Sequence, residues 1–357
     1  MNVGIFTFPN STSYGAVLQM YALYHTLENM GHAPNVINYK NKYMKRQKHT
    51  SRGSWLRRTA ERLLHRGLFR KFARFENEWV VKYPKVCCEN PGKLPGIGRR
   101  YDAVICGSDQ VWNPDVTGRD LSYFLNFCDE HTRRVAYAPS FGISEFPDDF
   151  SNEIRSDLEK FHALSVREAP GRTLIAALVG KDSPLVCDPT LLLDSDDWTR
   201  LEKKHPAADG AFILYYTVYT SATLWNKCKE LARKKGIKIV VVGGNWLQQL
   251  QQKDETIRYA VDIGPDEWLY LVHHARYVVT NSFHGTAFSI NYRKDFYVEF
   301  SSRANSRLEQ ITRSLGLDGQ IVGAEPLSGA AVDYSVADHA LPQMREKSVK
   351  YLTEALK

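Results

Sequence analysis

The sequence has 357 residues, 43% of them hydrophobic and 24% charged, which predicts two globular domains and excludes collagen-like, coiled-coil and largely disordered chains. The formal net charge is +7, but residues 40–74 contain 13 Lys and Arg against one acid, Glu61. The rest of the chain therefore carries −5, so the basic character belongs to one insertion. No apolar run reaches the roughly 20 residues that a membrane-spanning helix needs.

The N-terminal part reads as strand, helix, strand. The apolar run 3–8 lacks the basic residues that open a signal peptide, so it is predicted to be a first strand. A helix over 16–31 and a strand over 35–39 follow. The six cysteines show neither a CxxC pair nor zinc-ligand spacing, which indicates free thiols and a cytoplasmic location.

The rest of the chain continues the alternation. Strands are predicted over 101–106, 134–138, 163–166, 184–187, 211–216, 237–242, 277–280 and 296–300, and a helix in the tail from Leu341. Strands that alternate with helices indicate an α/β fold with parallel sheets. The simplest architecture has two Rossmann-like domains facing a cleft, over 1–170 and 171–330, with a tail over 331–357.

Polar side chains follow several strands at the point where each strand ends. Asp109, Gln110, Trp112 and Asn113 follow one strand; Ser140, Arg167 and Asp188 follow others. Ligands bind at the carboxyl ends of parallel strands, and an indole face beside amide and carboxylate groups suits a sugar. The alternative is that these residues cap loops and that Trp112 fills the core.

The most specific candidate site in the sequence is the stretch 281–286. Asn281 or Ser282 can cap a helix whose first turn carries His284, which places an imidazole beside an anion-binding helix terminus. The chain has neither a GxGxxG nor a P-loop motif, so dinucleotide and P-loop chemistry have no local support. We expect His273 and His274 to lie in a helix far from any acidic or Cys ligand, and we interpret them as structural.

Seven motifs occur in a fixed order along residues 1–325: Tyr14–Gln19, Gly107–Asn113, Ala138–Gly142, Ser165–Glu168, Asp188–Leu192, Asn281–Thr286 and Asn305–Arg307. Together they resemble the polysaccharide pyruvyl transferase family. The resemblance implies a GT-B-like pair of Rossmann domains and transfer of the enolpyruvyl unit of phosphoenolpyruvate to a sugar of a surface-polysaccharide precursor. The products are a pyruvate ketal and phosphate, and no cofactor or metal is implied.

The resemblance also assigns roles to residues. It implies that His284 is the general acid and that Asp109 is a base that orients a sugar hydroxyl. The predicted donor-binding residues are Arg167, Arg307, Lys294, Ser282, Gly285 and Thr286. The predicted acceptor-binding residues are Tyr14, Gln110, Trp112, Asn113 and Ser140. Family members often carry Arg-Leu where this chain has Ser282-Phe283, so other cations must bind the donor here.

The basic insertion, predicted over 40–79, shows two parallel stripes. One is apolar; the other consists of Arg58, Arg62, Arg66, Arg70 and Arg74. This pattern is typical of a basic amphipathic helix, which we expect to hold the protein at the inner face of the cytoplasmic membrane, beside a lipid-linked oligosaccharide acceptor. The alternative is that the apolar stripe packs on the N-terminal domain and the arginines are solvated. No nucleic-acid motif accompanies the charge, so no nucleic-acid partner is expected.

Two other functions fit the same sequence. The first is a GT-B glycosyltransferase that uses a nucleotide sugar, because a fold does not fix a function. The second is a non-catalytic saccharide-binding or assembly subunit, which would bind sugar without releasing phosphate.

Overall fold

A computed structural model of the chain describes residues 1–47, 66–143, 145, 148–243, 254–300 and 305–357. Its strands are β1 (Asn2–Phe6), β2 (Ala33–Tyr39), β3 (Lys82–Cys88), β4 (Ala103–Cys106), β5 (Arg133–Ala136), β6 (Ala163–Leu164), β7 (Phe212–Tyr216), β8 (Lys238–Val242), β9 (Ile257–Ala260), β10 (Tyr277–Thr280) and β11 (Asp295–Val298). Its α-helices span Tyr14–Asn29, Lys42–Gln47, Arg66–Trp79, Leu94–Gly98, Pro114–Thr117, Asp148–Glu159, Ala169–Val179, Ser195–Thr199, Ala222–Lys235, Pro265–His274, Phe283–Asn291, Asn305–Ser314 and Ser335–Ala355.

The strands form two sheets, and every strand pair in them is parallel. The first has the order β3-β2-β1-β4-β5-β6 and the second β11-β10-β7-β8-β9. Strands β4 and β10 are buried at every residue, as expected for central strands covered by helices on both faces. The predicted α/β class with two parallel sheets is therefore confirmed.

The chain divides into two compact units. The first comprises Met1–Arg58, Glu76–Leu192 and Gln343–Lys357; the second comprises Thr59–Phe75 and Leu193–Pro342. The division after Leu192 differs from the predicted boundary at residue 170. Ile175 and Leu178 explain the difference, because both are buried in the same apolar cluster as Val166. The predicted strand over 184–187 is reduced to a single bridge between Val166 and Leu185.

The helix Ser335–Ala355 also departs from the predicted separate tail, because its residues from Gln343 onward belong to the first unit. Ser348 Oγ accepts a hydrogen bond from the backbone N–H of Cys187 at 2.9 Å. The hydroxyl of Tyr351 donates to the carbonyl of Ala136, in β5, at 2.8 Å. These bonds fix the last turns of the chain beside the first sheet.

Two basic side chains of the helix Arg66–Trp79, which we call the basic helix, form ion pairs with acidic residues of the protein. Lys71 Nζ lies 2.7 and 2.8 Å from the two carboxylate oxygens of Glu267, and Arg74 pairs with Asp266. Arg66 and Arg70 are exposed. Arg58 and Arg62 lie outside the described residues. No helix in the described part of the chain is long and apolar enough to cross a membrane.

Candidate functional site

The carboxyl edge of the first sheet carries a loop that Asp109 shapes. Asp109 has a φ of 72°, and its side chain accepts a hydrogen bond from the N–H of Gln110 at 2.8 Å. The carbonyl of Asp109 accepts from the N–H of Ser140 at 2.8 Å, which ties together the loops after β4 and β5. Asn113 donates to the Gln110 side chain at 2.7 Å. Asp109 and Gln110 are half-buried, so both retain access to solvent.

A buried ion-pair cluster lies behind this loop. Arg167 pairs with Asp188, and its Nε lies 3.6 Å from Oε2 of Glu168. The hydroxyl of Ser140 donates to Glu168, and that of Ser108 donates to Asp188 at 3.3 Å. Burial lowers the pKa of Arg167, but the charges of Asp188, Glu168 and Asp109 outweigh burial and leave it above its ordinary value. The guanidinium is therefore held charged inside the first unit.

The carboxyl edge of the second sheet carries the helix Phe283–Asn291, which we call the His284 helix. Ser282 caps it, since its hydroxyl accepts from the N–H of Gly285 at 3.3 Å. The N–H of Ser282 in turn donates to Thr280 Oγ1 at 3.0 Å. A Cβ on Gly285 would lie 2.4 Å from that hydroxyl oxygen, so only glycine permits this close packing of helix on strand. His284 is half-buried in the first helical turn, with its ring perpendicular to that of Phe283.

Further polar groups surround the start of the His284 helix. Asn281 accepts from the N–H of Val218 at 2.8 Å and donates to the carbonyl of Tyr219 at 2.9 Å, which fixes the loop after β7. Burial raises the pKa of Tyr216 to about 12, although its bond with Ser282 lowers it. An imidazole, hydroxyls and helix N–H groups thus converge on one edge, where an anion and a proton-transfer group can be held together.

Comparisons with known proteins identify the family. The sequence model described as "Polysaccharide pyruvyl transferase" matches residues 14–298, which is most of the chain. The chain belongs to the polysaccharide pyruvyl transferase family. It is therefore a transferase of polysaccharide biosynthesis, with a pyruvyl donor and a sugar acceptor. A search of curated protein sequences finds no significant match.

Solved structures show that this pyruvyl transferase has a GT-B fold. Anabaena HepE in complex with UDP and glucose is 12% identical with a TM-score of 0.54, covering 100% of this chain and 99% of that one. The UDP-GlcNAc 2-epimerase of Neisseria meningitidis bound to UDP-GlcNAc is 12% identical with a TM-score of 0.51, covering 99% and 94%. The Methanocaldococcus jannaschii UDP-GlcNAc 2-epimerase with UDP-GlcNAc and UDP is 13% identical with a TM-score of 0.50, covering 100% and 93%. At these identities the likeness shows the fold alone.

The structure brings most of the predicted donor residues of the second unit to one place. Ser282, Gly285 and Thr286 lie in or beside the first turn of the His284 helix. Arg307 lies in the first turn of the helix Asn305–Ser314, which packs against the His284 helix. Arg307 thus remains a candidate to bind the donor.

Lys294 is not brought to this edge. It immediately precedes β11, and because β10 and β11 are parallel with Tyr277 opposite Asp295, it lies at the amino edge of the sheet. Its Nζ donates to the carbonyl of His273 at 2.6 Å, and burial lowers its pKa. In the sequence, Lys294 lies only twelve residues before Ser306 of the motif Asn305–Arg307. Strand β11 lies between the two, however, so Lys294 is at the opposite edge of the sheet from the other donor residues.

Three predicted acceptor residues have internal roles. Trp112 is fully buried, stacks on Phe124 at 5.2 Å and donates its indole N–H to the carbonyl of Tyr123 at 2.8 Å. Asn113 caps the helix Pro114–Thr117, and Ser140 is buried against Glu168. The core-packing and loop-capping alternative therefore describes these three side chains, and Trp112 offers no face to a sugar. Tyr14 begins the helix Tyr14–Asn29 and is buried.

Glu299 is a polar residue of the second carboxyl edge that sequence reasoning missed. It follows β11 directly, and its carboxylate accepts a hydrogen bond from Ser221 Oγ at 2.8 Å. The predicted strand over 296–300 included Glu299, whereas the strand in the structure ends at Val298. With the correct strand boundary, Glu299 would have been selected as Asp109 was, by the rule that ligands bind at the carboxyl ends of parallel strands.

Proposed function

We propose that this protein transfers the enolpyruvyl unit of phosphoenolpyruvate to two hydroxyls of one sugar in a surface-polysaccharide precursor. The observation that carries the proposal is His284, which lies in the capped first turn of a helix at a carboxyl edge, inside the part of the chain that matches the family. A helix N-terminus favours an anionic donor, and an adjacent imidazole can transfer a proton.

The reaction proceeds in two additions. His284 donates a proton to the methylene carbon of phosphoenolpyruvate, which leaves an oxocarbenium-like centre at C2. A sugar hydroxyl attacks that centre and loses its proton to a base, for which we propose Asp109. A second hydroxyl of the same sugar then displaces phosphate and closes the ketal ring. Of the two hydroxyl protons, one leaves with the phosphate and the other restores to His284 the proton that it gave to the methyl group.

Cations are needed for the carboxylate and phosphate of the donor. Arg307 fits this role best, because its helix packs on the His284 helix and a guanidinium binds either anion through two hydrogen bonds. For Arg167 a donor role stays a prediction, since its described contacts are to Asp188 and Glu168. The half-buried Asp109 and Gln110 are our candidates for the acceptor side.

Phosphate release tests the proposal. The intact protein is incubated with phosphoenolpyruvate and a panel of lipid-linked oligosaccharides, and phosphate and the mass of the product are measured. We expect phosphate release that depends on the acceptor, and a product heavier by one ketal-linked pyruvate. Release of a nucleoside diphosphate from UDP-sugars, with phosphoenolpyruvate unused, would instead establish a glycosyltransferase. Saccharide binding without turnover of either donor would establish a binding protein.

We also propose that the exposed residues of the basic helix contact an anionic membrane, which would hold the enzyme beside a lipid-linked acceptor. Phe69 is 49% exposed between the exposed Arg66 and Arg70, so one helix face presents an aromatic ring flanked by two positive charges. Lys71 and Arg74 pair with acidic residues, so we assign the interaction to Arg66 and Arg70.

We expect the protein to sediment with vesicles containing phosphatidylglycerol but not with phosphatidylcholine vesicles, and salt to release it. The variant Arg66→Glu/Arg70→Glu should bind at least about tenfold more weakly, because each basic side chain contributes about 1 kcal/mol near anionic lipid. Arg233→Glu/Arg258→Glu changes the same charge at two exposed arginines of the second unit and should bind normally. Equal losses in both variants, or no sedimentation of the wild type, would contradict a membrane face on the basic helix.

A further inference from the structure

Two histidines and a glutamate form a cluster at the amino edge of the second sheet, away from the His284 helix. Glu202 is 71 residues from His273 in the chain, yet its Oε1 lies 2.8 Å from Nδ1 of His273. Its Oε2 lies 3.9 Å from Nδ1 of the neighbouring His274. The expectation that this pair lies far from any acidic ligand is therefore wrong. The chain folds the segment after the helix Ser195–Thr199 against the end of the helix Pro265–His274.

The surroundings of the cluster hold its rings in place. The ring of His273 stacks on Tyr292 at 4.5 Å, and that of His274 stacks on Tyr270 at 3.9 Å. The side chain of Glu202 is only 6% exposed, whereas those of His273 and His274 are 36% and 42% exposed. A buried carboxylate thus lies beneath two imidazoles that solvent and dissolved ions can reach.

We propose that Glu202, His273 and His274 bind a divalent transition-metal ion of the zinc class. One possible ligand atom from each residue lies within 4.8 Å of the others. Zinc bonds of about 2.0–2.2 Å hold tetrahedral ligand atoms roughly 3.4 Å apart, so a small inward movement completes the site. Two imidazoles and one carboxylate suit zinc, and the fourth position is left to water.

Binding replaces hydrogen bonds that the cluster makes in the metal-free protein. A cation at Nδ1 of His273 takes the place of the proton that this nitrogen shares with Glu202, and the neutral ring then carries its single proton on Nε2. Nδ1 of His274 lies 3.0 Å from the carbonyl of Tyr270, and this bond is given up if that nitrogen becomes the ligand.

The consequence is a cross-link within the second unit. The cation joins the segment that follows one helix to the last residues of another, a connection that exists only in the folded chain. A ligand that binds the folded form alone raises stability by mass action. This role is independent of the proposed transfer reaction, because Glu202 and His273 lie at the opposite edge of the sheet from His284.

The test uses the full-length, untagged protein, dialysed against chelator and then titrated with zinc chloride. We expect one tightly bound zinc ion per chain by elemental analysis and a rise in the melting temperature. Glu202→Gln and His274→Gln should each weaken zinc binding at least about tenfold and remove the rise. His339→Gln is the matched control, since this exposed histidine also contacts a carbonyl four residues earlier and should leave binding unchanged.

Several results would overturn the proposal. Failure of the wild type to retain zinc would do so, as would equal retention by the wild type, Glu202→Gln and His274→Gln. Circular dichroism identifies any variant that fails to fold. Cobalt then provides a second measurement on the wild type, since ligation by the cluster predicts visible absorption bands of a four- or five-coordinate ion, and a spectrum identical to aqueous cobalt would exclude the site.

Discussion

Replacing His284 with glutamine is expected to lower turnover by about 10²–10⁴-fold, which is the usual contribution of general acid catalysis. Glutamine fills a similar volume but cannot donate a proton to the methylene carbon of phosphoenolpyruvate. The fold should persist, because the cap that starts the His284 helix is supplied by Ser282 and Thr280. Phosphate release and the affinity for phosphoenolpyruvate, measured side by side, separate lost chemistry from lost binding.

His339→Gln is the control for this prediction too, because it makes the same substitution at an exposed histidine of the second unit. It should retain wild-type turnover. If His284→Gln also turns over at near-normal rates, the general acid is another group. If it loses donor affinity and turnover together, His284 binds the donor rather than protonating it.

Removing the Arg167 guanidinium is expected to destabilise the first unit by about 3–5 kcal/mol, the usual cost of breaking one side of a buried ion pair. Arg167→Met leaves Asp188 and Glu168 buried without their cation. The measurement is the free energy of unfolding in urea, followed by hydrogen exchange in peptides from β4 and β5. The matched control is Arg172→Met, since the Arg172–Asp182 pair is largely exposed and should contribute less than about 1 kcal/mol.

Arg167→Lys distinguishes this role from the donor-binding role that the sequence predicts. A purely structural arginine predicts lower stability with unchanged affinity of the folded protein for phosphoenolpyruvate. A donor-binding arginine predicts an affinity loss greater than the change in stability, because lysine keeps the charge but loses the two-pronged geometry. Unchanged stability in Arg167→Met would show that the pairs with Asp188 and Glu168 contribute little.

Features that depend on neighbours in the chain could be predicted from the sequence. Apolar runs placed most of the strands, because a buried parallel strand is apolar on both faces. A helix start capped by Asn281 or Ser282 was predicted because a cap joins residues only a few positions apart, and the structure shows that Ser282 caps it through a bond from Gly285. The strands β3 and β9 were missed. Each lies at the edge of its sheet with only one neighbouring strand, and β3 also contains two lysines and Pro84, so it is not an apolar run.

Features that depend on distant pairing were decided by the tertiary structure alone. Whether Trp112 faces a ligand or the core depends on Phe124 and Tyr123, and the pairing of Arg167 with Asp188 joins residues 21 positions apart in the chain. The edge on which Lys294 lies follows from the parallel pairing of β10 and β11. The meeting of Glu202 with His273 likewise requires two helices to pack together. Composition and local pattern determine which helices and strands form. The environment of each polar side chain is set by contacts between elements that are distant in the chain, and the local sequence pattern does not show those contacts.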